Sequence, residues 1–148
     1  MTERSVVVGR DGRAKAYRPI PPADRAIAVL SGLAAYERGD YFEAHEDLEP
    51  AWMGTDDLGE RAYLQGLIKL AAAYVHGARG NPTGTRRNLE GARARLAEAL
   101  DTGGGAAADL TRIDLPALIA EIDRRLTDLA DRPDDPSLGP PDLRRNVP

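Results

Sequence analysis

Apolar residues recur at helical spacing through the middle of the chain, separated by polar caps and glycine-containing links. An acidic or amide side chain precedes several of these runs, as is typical of residues that cap the free N–H groups of a first helical turn. The pattern predicts five helices and an all-α fold, a compact orthogonal or antiparallel bundle. We place these helices at about 23–38, from Asp40 towards Trp52, at about 58–79, from Asn81-Pro82 to near Leu100, and from Asp114 through Leu129.

The third predicted helix, about 58–79, is apolar around most of its circumference. A helix of this kind is surrounded by other elements, so we expect it to be the buried central helix. The first and fourth helices each have a narrower inner stripe. In the first helix we expect Ile27, Leu30 and Ala34 with Val29, Leu33 and Tyr36 beside them, and in the fourth Leu89, Ala92, Leu96 and Leu100.

Prolines mark both ends of the helical region, since three precede the first helical pattern and five follow the last one. Residues 1–21 and 132–148 have little apolar surface to bury. We therefore predict a flexible N-terminal arm, a single helical domain at 22–131 and a disordered proline-rich tail. The valines at 6–8 are compatible with a short strand, and the glycine-rich stretch at 102–108 predicts a flexible connection.

Composition limits the classes of function. The chain has 148 residues, no cysteine, a formal net charge of -4 and a sequence pI of about 5.2. It therefore lacks disulfides and thiolate metal ligands. It also has no basic field to hold a phosphate backbone, so nucleic-acid binding is not expected. No segment approaches a membrane span or a signal-peptide core, which favours a cytoplasmic protein without a membrane partner.

The stretch 41–52, YFEAHEDLEPAW, places acidic groups among aromatic ones. At about 100° per residue, His45 and Glu49 fall within the apolar face of this helix, and Glu46 lies at its edge. A buried carboxylate requires a hydrogen-bond donor, a cation or a metal ion. Pro50 lacks the N–H that would donate to the Glu46 carbonyl, so we expect the helix to kink or stop near Glu49.

The third helix offers further polar groups to this face. Those that share one line on it are Gln65, Lys69 and His76. Two interpretations follow if this line faces the second helix. In one, His45 and Glu49 hydrogen-bond each other and nearby polar groups, and only fix the helix packing. In the other, they ligate one divalent metal ion, joined by Glu46, His76 or water.

Two well-known metal-binding motifs can be compared with this stretch, and neither of them is complete here. HEDLE begins like the zinc-protease pattern H-E-x-x-H, but Glu49 stands in place of the second histidine. The E-x-x-H pairs of di-iron bundles are missing too, because no glutamate stands three residues before His45 or His76. Neither class of enzyme is expected. If the protein is an enzyme, the pattern favours metal-assisted hydrolysis with Glu46 as general base.

His45, Glu49 and Trp52 fit a His-x-x-x-Glu-x-x-Trp/Tyr motif, and the chain here resembles a family of bacterial and archaeal proteins named domain of unknown function 309. The FEAHE stretch, the QGLI and LAAAYVH segments of the third helix and GNPTG at the start of the fourth also resemble the family's pattern. The resemblance implies a compact all-helical fold with central buried helices and a motif suggested to bind metal. It implies no activity.

The sequence therefore predicts a small cytoplasmic helical protein with a buried polar site at His45 and Glu49, a candidate site for one divalent metal ion. We expect Trp52, Gln65 and Lys69 to pack around that site. The alternative is a structural or protein-interaction module in which the pair only fixes helix packing. Homo-oligomerisation or a protein partner would suit its open helical surfaces.

Overall fold

The computed structural model describes residues 6–8, 14–132, 139–143 and 145–146. Within this part of the chain there are six helices, and the fold is all-α as predicted. The helices are α1 (Pro22–Glu37), α2 (Tyr41–Met53), α3 (Leu58–Ala78), α4 (Pro82–Thr102), α5 (Gly105–Thr111) and α6 (Leu115–Asp131). Two short strands, β1 (Val6–Val8) and β2 (Ala14–Ala16), pair antiparallel with Val7 opposite Lys15. The rest of the predicted arm and tail lies outside the described residues.

Helix starts follow the local sequence. Asp40, Asn81 and Asp114 each accept a hydrogen bond from a backbone N–H three residues further on, which confirms the predicted N-caps. Gly80 has a φ of +70°, the left-handed conformation in which a glycine ends the preceding helix at least cost. None of the helices in the described residues is both long enough and apolar enough to cross a membrane.

The core forms around α3, which packs against α2, α4 and α5. Most of the α3 side chains between Gly59 and Tyr74 are buried. Gly66 allows α4 to come close, because a Cβ at this position would lie 2.6 Å from Cδ2 of Leu96. α3 therefore supplies buried surface to three neighbours, as its apolar circumference predicts.

Of the two stripes of α1 expected to face inward, the one with Val29, Leu33 and Tyr36 is buried as predicted, whereas the one with Ile27, Leu30 and Ala34 is exposed. Ile27 and Leu30 are 67% and 42% exposed. Gly32 lies on the opposite, buried face, and a Cβ there would be only 2.6 Å from Cγ of Leu48 in α2. The closest approach of α2 thus determines which stripe of α1 is buried. The buried residues of α1 are Val29, Gly32, Leu33, Ala35 and Tyr36.

α5 occupies a stretch predicted to be a flexible connection, so the predicted count of five helices was wrong. Its first turn is held by Glu60 of α3, whose Oε2 accepts a hydrogen bond from the N–H of Ala107 at 3.0 Å. Glu60 is 3% exposed, and its Oε1 lies 3.5 Å from Nε of Arg25. A carboxylate from another helix therefore takes the place of a local cap.

The buried face of α4 is also shorter than expected. Leu89, Ala92 and Leu96 are buried as predicted, but Leu100 is 50% exposed.

Residues 16–20 of the predicted N-terminal arm contact the helices. The N–H of Arg18 donates to the Met53 carbonyl at 2.8 Å. The guanidinium of Arg61 donates to the Ala16 carbonyl, also at 2.8 Å. These bonds hold β2 and the chain after it against the link between α2 and α3.

The described residues of the predicted tail pack on the helices, which differs from the expectation of a disordered tail. Pro141 and Leu143 are buried. The Tyr36 hydroxyl donates to the Pro141 carbonyl at 2.8 Å, and Arg145 donates to the Thr111 carbonyl at 2.9 Å. Pro141 and Arg145 therefore join α1 to the end of α5.

Candidate metal centre

α2 carries His45, Glu49 and Trp52 on one continuous helix. It does not stop near Glu49 as expected but continues through Pro50 to Met53. Pro50 removes one helical bond, the one to the Glu46 carbonyl, and the helix continues for three further residues. Trp52 consequently keeps its helical position relative to His45.

A groove of about 260 Å³ lies between α2, α3 and α4. Its lining residues are His45, Glu49 and Trp52 of α2, Gln65, Ile68, Lys69 and Ala72 of α3, and Asn88 of α4. The structure therefore brings Gln65 and Lys69 to the same groove as the two α2 residues. Asn88 was not predicted, although it precedes the buried Ala92 by one helical turn.

His76 is not part of this arrangement. Its Nδ1 lies 3.3 Å from Nδ2 of Asn81. Its ring packs over Gly84, where a Cβ would be 2.7 Å from Cγ of His76. This end of α3 is covered by α4 and not by α2. Of the three polar residues on the predicted line, Gln65 and Lys69 therefore reach the groove beside α2, whereas His76 contacts α4.

His45, Glu46 and Glu49 form the group that could hold a metal ion, with one ligand atom from each residue within 4.8 Å of the others. Nδ1 of His45 lies 3.5 Å from Oε1 of Glu46 and 4.0 Å from Oε2 of Glu49. Two atoms bound to one tetrahedral zinc ion at about 2.1 Å are about 3.4 Å apart. Small side-chain rotations would therefore bring these atoms to ligand spacing.

This group is half-exposed, so the expectation of a buried site was wrong. The side chains of His45, Glu46 and Glu49 are 33%, 56% and 42% exposed. The carboxylates of Glu46 and Glu49 therefore keep contact with solvent. A solute or ion can thus reach the group without any movement of the helices.

Arg61 fixes the position of Trp52 beside the groove. Its guanidinium carbon lies 4.7 Å from the centre of the indole ring, a cation–π contact. Its Nη1 also donates to the carbonyls of Trp52 and Thr55, at 3.1 and 3.0 Å. Burial lowers the pKa of the Arg61 guanidinium, and the charge of Asp56 opposes this shift. The buried cation therefore ties the end of α2 to α3.

Residues 29–88 match the model of a family described as a domain of unknown function, DUF309. The matched segment is 60 of the 148 residues, and over it the chain is similar to the DUF309 family. The match confirms the resemblance seen in the sequence, and the DUF309 segment contains every residue that lines the groove. No curated protein and no solved structure matches the chain significantly.

Proposed function

We propose that the protein binds one divalent metal ion through His45, Glu46 and Glu49 at the mouth of the groove. The observation that supports this function is the approach of one ligand atom from each residue to within 4.8 Å of the other two. Imidazole and carboxylate ligands suit zinc, manganese and ferrous iron. Three protein ligands would leave coordination positions open for water or a solute.

The structural alternative has weaker support. The 4.0 Å between Nδ1 of His45 and Oε2 of Glu49 exceeds hydrogen-bond length. Ion pairs between half-exposed side chains contribute only about 0–1 kcal/mol to stability. Packing between α2 and its neighbours rests instead on buried apolar residues such as Ala44 and Leu48.

Calorimetric titration of the chelator-treated full-length protein with zinc and manganese tests the proposal. We expect one ion per chain, and binding at least about tenfold weaker in His45→Ala and Glu49→Gln, because even supporting groups around a metal contribute about 10–100-fold in affinity. Glu43→Gln is the matched control. It removes the same charge from an exposed position of the same helix, and its affinity should stay within about twofold of wild type.

Thermal unfolding gives an independent readout. An ion that binds only the native state raises the free energy of unfolding by mass action. Zinc should therefore raise the unfolding midpoint of the wild type and of Glu43→Gln to a similar extent, and that of His45→Ala by less at the same zinc concentration. Absence of metal binding, or equal affinity in all the variants, would contradict the proposed function.

A further inference from the structure

Lys69 brings a positive charge into the same groove as the proposed metal ligands. Its stem lies over α4 at Gly91, where a Cβ would be 2.9 Å from Cδ and 3.6 Å from Nζ of Lys69. Glycine at this position makes room for the lysine between α3 and α4. Lys69 is also one of only two lysines among the 20 lysine and arginine residues of the chain. A lysine presents a compact point charge, which suits a narrow space better than a planar guanidinium.

The charge of Lys69 has no counterpart from the described part of the chain, since none of the carboxylates there lies within 4.0 Å of its ammonium group. Glu46 and Glu49 would together balance one divalent ion. With that ion bound, the positive charge of Lys69 gives the groove a net charge of +1. Like charges repel more strongly in a partly enclosed groove than in bulk water. A monoanion held between the metal ion and Lys69 would remove the imbalance.

The size and walls of the groove indicate what kind of anion fits. Its volume of about 260 Å³ is below the range of about 300–1,000 Å³ that is typical of sites for drug-sized ligands. Trp52, Ile68 and Ala72 provide apolar surface, while Gln65 and Asn88 add amide groups. A small anion with a short apolar body matches both the volume and the walls.

We infer that the groove binds a small monocarboxylate, whose carboxylate is held by the metal ion and by Lys69 and whose apolar body lies against Trp52. This inference rests on the proposed metal site. It names the class of solute that would occupy the open coordination positions of the ion. A monocarboxylate is favoured over phosphate because it balances a single excess charge and has an apolar part for the tryptophan wall.

Trp52 provides the measurement, because it is the single tryptophan of the chain and lines the groove. Zinc-loaded full-length protein is titrated with butyrate, with the neutral isostere butyramide and with inorganic phosphate while indole fluorescence is followed. We expect a saturable change with butyrate. Butyramide, which lacks the charge, should bind at least about tenfold more weakly, and phosphate should bind more weakly than butyrate.

Lys69→Met removes the charge and keeps the length of the stem. It should weaken butyrate binding about three- to fivefold, the upper end of the effect of losing a partly exposed ion pair. It should also tighten zinc binding about twofold, because a repelling charge is gone. Arg87→Met removes a cation from an exposed position of α4 outside the groove, and should change neither affinity by more than about twofold. Lys69→Gln serves as a second variant if Lys69→Met does not fold.

The outcomes separate the two proposals. Zinc binding with a butyrate affinity that is unaffected by loss of the Lys69 charge would overturn the carboxylate inference and leave the metal site standing. Equal affinity for butyrate and butyramide, or tighter binding of phosphate, would overturn the ligand class. Absence of zinc binding in the calorimeter would end both proposals.

Discussion

The Tyr63 side chain is enclosed where α3 meets α5. It is 1% exposed, and its hydroxyl lies 2.5 Å from Oγ1 of Thr111. Burial raises the pKa of the phenol from 10.0 to about 12, while the hydrogen bond to Thr111 and the charge of Arg145 act in the opposite direction. The folded chain therefore keeps a proton that the unfolded chain releases at lower pH.

We predict that Tyr63 contributes to a loss of stability in alkali. This contribution is complete below the unfolded pKa of about 10 and is lost as the pH rises through the folded pKa of about 12. About 1 kcal/mol should be gone by about pH 11. Tyr63→Phe cannot titrate, so its free energy of unfolding should fall less over the same range.

Denaturant unfolding of both proteins at a series of pH values measures the difference. Burial also raises the pKa values of Tyr36 and Tyr74. These two tyrosines are present in both proteins and cancel in the comparison. Parallel pH profiles for wild type and Tyr63→Phe would show that the phenol titrates alike in the folded and unfolded chains.

At the scale of one element, α5 depends on a side chain outside it. A seven-residue helix that begins with glycine has little intrinsic stability. We predict that Glu60→Ala destabilises it, because the substitution leaves the N–H of Ala107 without its acceptor and the guanidinium of Arg25 without its ion-pair partner. The expected loss in free energy of unfolding is about 2–4 kcal/mol.

Amide hydrogen exchange at Ala107, together with chemical unfolding, tests the role of Glu60. Exchange there should be faster in Glu60→Ala than in wild type. Glu43→Ala makes the same change at an exposed position, and its stability should stay within about 0.5 kcal/mol of wild type. An unchanged exchange rate at Ala107 in Glu60→Ala would mean that α5 does not need the remote carboxylate.

Local sequence was sufficient for elements whose ends depend on neighbouring residues, as the three N-caps show. α5 was missed because Glu60 acts on Ala107 from 47 residues away. The buried face of α1 was predicted only in part, because its apolar residues cover two adjacent stripes and only the stripe with Val29, Leu33 and Tyr36 is buried. The close approach of Leu48 to Gly32 decides between them, and periodicity along one helix does not contain that contact.

The candidate site was predictable as far as the helical period reaches. That period placed His45 and Glu49 on one face of α2, and Gln65 and Lys69 on a line that does reach the same groove. The depth of the groove depends on the distance between neighbouring helices, and the periodicity of residues within one helix does not predict that distance. For the same reason the half-exposure of the acidic residues and the contribution of Asn88 were not predicted.

At the scale of the whole molecule, Pro141 and Arg145 contact α1, which lies more than 100 residues earlier in the chain. The hydrogen bond from Tyr36 to Pro141 joins residues 105 positions apart. The ion pair between Arg145 and Glu37 joins residues 108 positions apart. Leu143 between them is 2% exposed. This segment therefore contributes buried surface as well as polar contacts.

We predict that Leu143→Ala lowers the free energy of unfolding by about 2–3 kcal/mol, as expected when a buried leucine is truncated. Leu100→Ala is the matched control, because Leu100 is 50% exposed and loses the same atoms. Its loss should be below about 1 kcal/mol. Urea unfolding compares the two variants, and equal losses would show that the C-terminal segment adds no stabilising burial.

The contact between Tyr36 and Pro141 also has a consequence for synthesis in the cell. Tyr36 of α1 is synthesised 105 residues before its partner Pro141. Domains whose contacts are local can fold while translation continues. Here the packing of α1 is completed only after residues 141–143 have left the ribosome, and until then the site that Leu143 fills stays open to chaperones and proteases.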